Sequence, residues 1–148
     1  MKFDTATPYT ASYVVLRDGD KVAFVLRSNT DWMDGFYGLP SGKVEKKESF
    51  SAGAIREGLE EVGITVKPEA LHHALTVYRN SDDDTYWVDV YFEVETWSGE
   101  VQNMEPHMHS EVAWLDINNL PDNVIPTVRS ALKHIADGER FVEEGWEN

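Results

Sequence analysis

No cysteine occurs among the 148 residues, which excludes disulfides, thiolate metal sites and a cysteine nucleophile. Positive charge is scarce: 13 lysines and arginines face 27 aspartates and glutamates, for a formal net charge of −14. A surface of that sign repels nucleic-acid phosphate and anionic lipid, so neither a nucleic-acid nor a membrane partner is expected. A polyanionic substrate has to arrive with a cation or meet a local basic patch. No apolar run approaches the ~20 residues that span a bilayer. The opening residues Met1 to Thr7 lack the apolar stretch of a signal peptide, which makes the cytoplasm the expected location.

What is present suits a soluble globular protein. Hydrophobic residues make up 41% and aromatics 11%, too much for a disordered polymer, and the length is that of one ordinary domain, expected over residues 1–148. The chain is organised around residues 42–64, where a glycine turn leads into a helix expected over about 49–62. At 100° per residue, Phe50, Ala54, Ile55, Leu59 and Val62 take one half of the wheel, and Arg56, Glu57, Glu60 and Glu61 the other. Glu48 and Ser49 suit the N-terminus, and Gly63 suits a left-handed stop. The i, i+3 and i+4 spacing of Glu57, Glu60 and Glu61 brings their β-carbons about 5–6 Å apart. Like charges at that spacing repel, whereas a hard cation such as Mg²⁺ or Mn²⁺ requires carboxylate oxygens, so the cluster reads as ligands. Gly58 falls inside the apolar arc, where a missing β-carbon lets the backbone approach its neighbours.

Gly42, Glu48, Arg56-Glu57, Glu60-Glu61 and Gly63-Ile64 resemble the signature box of the Nudix hydrolase family. Seven of these eight residues, Gly42 to Gly63, at fixed spacing match by chance on the order of 10⁻⁸ per starting position. One departure is Gly58, where the family usually has an aliphatic residue. The resemblance implies an α/β/α sandwich with a mixed β-sheet, and a divalent-cation-dependent hydrolase of diphosphate linkages acting on a small nucleotide-type molecule. A nucleoside triphosphate or modified nucleotide is expected first; ADP-ribose, a nucleotide sugar, a dinucleotide or a non-catalytic ligand-binding module are the alternatives.

The same resemblance implies roles for particular residues. Glu57, Glu60 and Glu61 would bind the cation together with the Ser41 carbonyl, and a box glutamate or a loop carboxylate would act as base. Glu105 is the expected loop residue and Glu111 the runner-up. Arg56 would pair with Glu48 and Glu60 and orient the cluster, and Arg27 would contact phosphate.

Along the rest of the chain, Tyr9–Arg17 and Lys21–Arg27 read as a hairpin around Asp18-Gly19-Asp20, and 29–39 as an aromatic-rich loop. Trp32 is the loop's candidate for stacking on a ligand and Leu39 its candidate for the core. Strands are expected over 71–79, 85–95 and 112–115. In the second of these, Trp87, Asp89, Tyr91 and Glu93 share a face that could line a pocket, making Trp87 and Tyr91 further substrate contacts. His107 and His109 read as polar loop residues, since the further ligands of a zinc site are missing. A last helix begins at Pro126, with Val128, Ala131, Leu132 and Ile135 as its apolar stripe.

Overall fold

Asp18-Gly19-Asp20 folds the chain back between two strands, β1 (Tyr9–Asp18) and β2 (Lys21–Arg27), paired Arg17 to Val22 and Asp18 to Lys21. The computed structural model describes residues 3–146. Its remaining elements are β3 (Tyr37–Gly38), β4 (Ser41–Lys43), α1 (Phe50–Val62), β5 (His72–Asn80), β6 (Tyr86–Val94), β7 (His109–Asp116), α2 (Pro126–Ala136) and β8 (Phe141–Glu144). β1 is the hub. It runs parallel to β6 from Tyr9 to Leu16, and its residues Ala11 to Tyr13 pair antiparallel with β4. β5 joins β6 antiparallel and β8 parallel, while β2 carries β3 and β7, both antiparallel. The sheet is mixed, as expected.

Both faces of this sheet are covered, so alternate residues of a strand enter different cores. Val14, Leu16, Ala23, Val25, Val90, Phe92 and Val94 pack with Ala54, Val62 and Ile64 on the α1 side. Val15, Val22, Phe24, Leu75, Val77 and Tyr91 pack with Val128 and Ala131 on the α2 side. The result is the α/β/α arrangement. No helix among the described residues is long and apolar enough to cross a membrane.

Several expectations shift in detail. Leu59, assigned to the apolar stripe of α1, is 53% exposed, whereas Glu61 and Gly53 are buried. The helix turns its 53, 54, 58, 61, 62 face inward because β4 and the loop before β7 lie beside it, and Glu61 points into that polar seam rather than into an apolar layer. Tyr91 lines no pocket: it is 1% exposed and stacks on Tyr13 with ring centroids 4.4 Å apart, beneath α2. Asp89 is equally buried, so only the two ends of that face, Trp87 and Glu93, reach open surface. The 29–39 loop contains the two residues of β3, and β7 starts at His109 rather than near Val112. β8 is an addition; its four residues are too short to stand out by periodicity.

The ends of α1 follow local chemistry. The Ser49 hydroxyl accepts the Ala52 N–H at 3.0 Å, and Gly63, at φ 74°, adopts the left-handed conformation that lets its N–H reach the Leu59 carbonyl. A β-carbon at Gly58 would meet only Ile64 side-chain atoms, at 3.5 and 3.6 Å, which is ordinary contact. Gly58→Ala should therefore raise stability by up to about 1 kcal/mol through helix propensity. Gly58→Leu should overpack against Ile64 and cost about 1–3 kcal/mol, and Leu59→Gln on the exposed face should change little. Urea unfolding of the three variants checks the ranking, and a leucine variant as stable as wild type would show the position to be open.

Candidate active site

The solvent-facing flank of α1 is ordered by one guanidinium. Arg56 donates Nε and Nη2 to the two oxygens of Glu48 at 2.7 and 2.9 Å, Nη1 to Glu57 at 2.7 Å and to Glu60 at 3.2 Å, and Nη2 also to the Lys43 carbonyl at 3.2 Å. Three carboxylates that would repel are held in fixed directions; Glu48 and Glu60 are the partners expected of Arg56, and Glu57 is a third. The Arg56 hydrogen bonds hold the Glu48 carboxyl down to about 2, with help from the Glu45 N–H at 3.0 Å.

The other flank has no such compensation. Glu61 is 7% exposed; its Oε2 accepts the Ser41 N–H at 2.7 Å. Burial first, then the negative charges of Glu57 and Glu105, push its carboxyl well above the ordinary range. Burial also raises Glu57, against the pull of Arg56. Gly42 is what lets these groups meet, because a methyl at this position would land on the Glu57 carboxylate. The box glycine is therefore a matter of space beside a ligand.

Glu105 arrives from a distant segment through backbone bonds at the C-terminal end of α1. The carbonyls of Glu61 and Val62, which have no partner within the helix, accept Met104 N–H at 3.1 Å and Gln102 N–H at 3.0 Å. The Glu105 carbonyl accepts the N–H of both Met108 and His109, each at 2.9 Å, and Asn103 Nδ2 holds the His109 carbonyl at 2.7 Å. One donor atom from each of Glu61, Glu105 and His109 then falls within 4.8 Å of the other two. Glu111, the runner-up for the loop carboxylate, instead accepts the Tyr37 hydroxyl. His109 corrects the sequence reading: it is 2% exposed, with Nε2 3.5 Å from Glu61 Oε1, and only His107 is a surface loop residue. Burial lowers its basicity, assisted by Arg27 and His107, which favours the neutral ring.

Beside this acidic seam, across β4, opens a cleft of about 760 Å³ lined by Tyr9, Tyr13, Trp32, Lys43, Arg79 and Trp87, with Asp82 and Asp83 among the further lining residues. Its cations are held on aromatic faces. Lys43 Nζ lies 4.5 Å from the Tyr9 ring and 5.6 Å from Trp87, and Arg79 lies 5.2 Å from Trp87; outside the cleft lining, Arg27 lies 5.0 Å from Trp32. Arg27 also donates Nε to the Trp32 carbonyl at 2.9 Å. The buried Asp89 receives Arg79 Nε at 2.9 Å. The cleft thus has mixed charge: Lys43 and Arg79 line it together with Asp82 and Asp83, and Arg79 is paired with Asp89. Trp32 and Trp87 both line it; Arg79 was missed, as was its pairing with Asp89, because nothing in their own neighbourhoods marks them as a pair.

Carboxylate oxygens of Glu61 and Glu105, with the Glu57 carboxylate close enough to raise Glu61, suit a hard divalent cation, whereas Glu60 is 53% exposed and drawn to Arg56. The buried, uncompensated Glu61 carboxylate is the observation that calls for positive charge there.

Comparison with known proteins agrees with this architecture. The model of the NUDIX domain family matches residues 7–136. An uncharacterized Nudix hydrolase of Bacillus subtilis (strain 168), YvcI, is 28% identical over 108 residues; the match takes in 72% of this chain and 65% of that protein, just under two thirds of its length. Among solved structures, a MutT NUDIX hydrolase from Burkholderia pseudomallei has a TM-score of 0.77 at 24% identity, covering 86% of this chain and 97% of that one. A MutT protein from Methanosarcina mazei Go1 has a TM-score of 0.75 at 20% identity, covering 92% and 97%. These two likenesses are of fold.

The uncompensated flank has a pH consequence for the metal-free protein. A carboxyl raised above 4.5 binds its proton more tightly folded than unfolded, so its contribution is present below about 4.5 and lost as pH rises through the folded value. Glu61→Gln cannot ionise. In EDTA, the variant should gain stability relative to wild type as pH rises from about 5 to 8, read by urea unfolding at each end. A gain at pH 5 that vanishes at pH 8 would reverse the assignment.

Proposed function

Because the chain belongs to the Nudix family, whose hydrolases act on phosphorus-containing anhydrides, we propose that it is a diphosphohydrolase dependent on Mg²⁺ or Mn²⁺. Its substrate is a nucleoside diphosphate linked to another group, most simply a nucleoside triphosphate or modified nucleotide. The observation that carries this reading is the buried Glu61 carboxylate, crowded by Glu57 and Glu105 and joined through β4 to a cleft whose cations rest on aromatic rings.

Glu57, Glu60, Glu61 and Glu105, with the Ser41 carbonyl, would hold the cation. Bound there, Mg²⁺ or Mn²⁺ supplies a Lewis acid for phosphate oxygens and for water. Arg56 and Glu48 act as positioning residues, since the bonds between them fix the direction of Glu57 and Glu60. Arg27 would take phosphate oxygens, and Trp32 and Trp87, which line the aromatic cleft, would stack on the planar group. Water forms a new bond to phosphorus while the bridging P–O bond breaks; a carboxylate, Glu105 or one of the box glutamates, takes the proton of that water, and the leaving phosphate departs with the bridging oxygen.

A panel of nucleoside triphosphates, nucleotide sugars, ADP-ribose and dinucleoside polyphosphates, scored for phosphate or pyrophosphate release with Mg²⁺ and with Mn²⁺, tests the reading. Turnover of at least one class is expected, and should fall by several orders of magnitude in Glu61→Gln. Wild type should also gain up to about 2.7 kcal/mol of stability at a hundred times the metal Kd, with much less gain in the variant. A protein that binds the cation yet turns over none of the panel would be a ligand-binding module.

The aromatic cleft generates a separate expectation. Trp32→Ala and Trp87→Ala should each raise KM for the best substrate with little change in kcat, whereas Tyr91→Phe, in the core, should leave KM alone. Unchanged KM in both tryptophan variants would move the binding site elsewhere.

A further inference from the structure

We propose that His109 supplies a nitrogen ligand to the cation beside Glu61 and Glu105, and thereby tilts this site toward Mn²⁺ over Mg²⁺. This inference rests on the diphosphohydrolase reading and deepens it. Three observations carry it.

The first is cost without structural return. The His109 side chain is 2% exposed, its Nδ1 has no hydrogen-bond partner among the described residues, and its Nε2 stands 3.5 Å from Glu61 Oε1, beyond a good hydrogen bond. Buried polar atoms are ordinarily paired, and one left unpaired is destabilising. An aliphatic side chain would pack at the start of β7 without that penalty. The Nε2 atom that faces Glu61 thus stands beside the carboxylates without a close hydrogen bond of its own, as a metal-ligating nitrogen would before the ion arrives.

The second is placement. The backbone of His109 is pinned on both sides, its N–H on the Glu105 carbonyl at 2.9 Å and its carbonyl on Asn103 Nδ2 at 2.7 Å. It pairs with Arg27 of β2 across an irregularity in register between Leu26 and Arg27. That irregularity sets which way the first side chain of β7 points, and the ring lies beside Glu61.

The third is distance. Around a cation with bonds of about 2.1 Å, octahedral ligand atoms stand about 3.0 Å apart when adjacent and about 4.2 Å when opposite. The donor atoms of Glu61, Glu105 and His109 lie within 4.8 Å of one another, so a small closure brings all three onto one ion.

Ligand chemistry then decides the preference. Mg²⁺ favours oxygen donors and retains its waters, while imidazole suits the transition metals, and the divalent series places Mn²⁺ within reach of a mixed oxygen and nitrogen set. Removing the nitrogen should cost Mn²⁺ more than Mg²⁺.

Electron spin echo envelope modulation of Mn²⁺ bound to the full chain, without substrate, reads the ligand directly. Strong modulation from a directly coordinated ¹⁴N is expected, changing to the ¹⁵N pattern when histidine alone is ¹⁵N-labelled. Calorimetry of Mn²⁺ and Mg²⁺ binding should show the preference for Mn²⁺ falling by about tenfold in His109→Gln; the labelling result on wild type stands even if that variant folds poorly. Mn²⁺ bound with no histidine nitrogen coupling overturns the inference and leaves the hydrolase reading standing. Failure to bind either cation overturns both.

Discussion

One guanidinium makes the acidic face of α1 possible. Arg56 reaches Glu48, Glu57 and Glu60 at once, each within 3.2 Å, and ties the cluster to the Lys43 carbonyl of β4. Without it, Glu57 and Glu60 on the helix and Glu48 just before it would repel, with nothing to hold them toward one point. Lysine could not serve in its place, since a single ammonium cannot direct its donors along a planar fork. The order of the site begins with geometry that a point charge does not have.

What Arg56 does on one flank, nothing does on the other. Glu61 faces a seam made by β4 and by the segment leading to β7, and there it meets a backbone N–H, a neutral imidazole and two more carboxylates. The fold thus balances charge across part of the cluster and leaves the deepest part in deficit. Strand β4 is central to that division: Ser41 turns its N–H to Glu61, Gly42 leaves room for Glu57, and Lys43 turns to the aromatic cleft. Three consecutive residues connect the acidic seam to the aromatic cleft.

The sequence was legible where the determinants are local. Ser49 and Gly63 close α1 as capping chemistry requires, Asp18-Gly19-Asp20 turns a hairpin, and the arginine and glutamate spacing implies its own ion pairs. It misled where a neighbour from elsewhere decides. Leu59 and Glu61 exchange their expected exposure because the wheel ranks hydrophobicity, while the polar seam beside α1 is built from β4 and residues 102–109. His109 reads as a loop residue because its role depends on the register of β7 against β2, which local pattern does not encode. Tyr91 and Asp89 alternate as a half-exposed strand would, yet α2 covers that face too. The pairing of Asp89 with Arg79 likewise depends on β5 lying next to β6.

The last strand has a meaning separate from the site. β5 is nine residues long and would stand at the margin of the sheet with a row of unpaired amides and carbonyls. The four residues of β8 pair with it from Thr76 to Arg79, and Trp146 then donates its indole N–H to the Tyr78 carbonyl at 3.1 Å while its ring stacks on Tyr86. An open strand edge is a template on which another chain can add itself. By laying its own terminal segment there, the protein occupies that template before a stranger can, so residues 140–146 serve as a guard against edge-to-edge aggregation although they add nothing to the acidic seam.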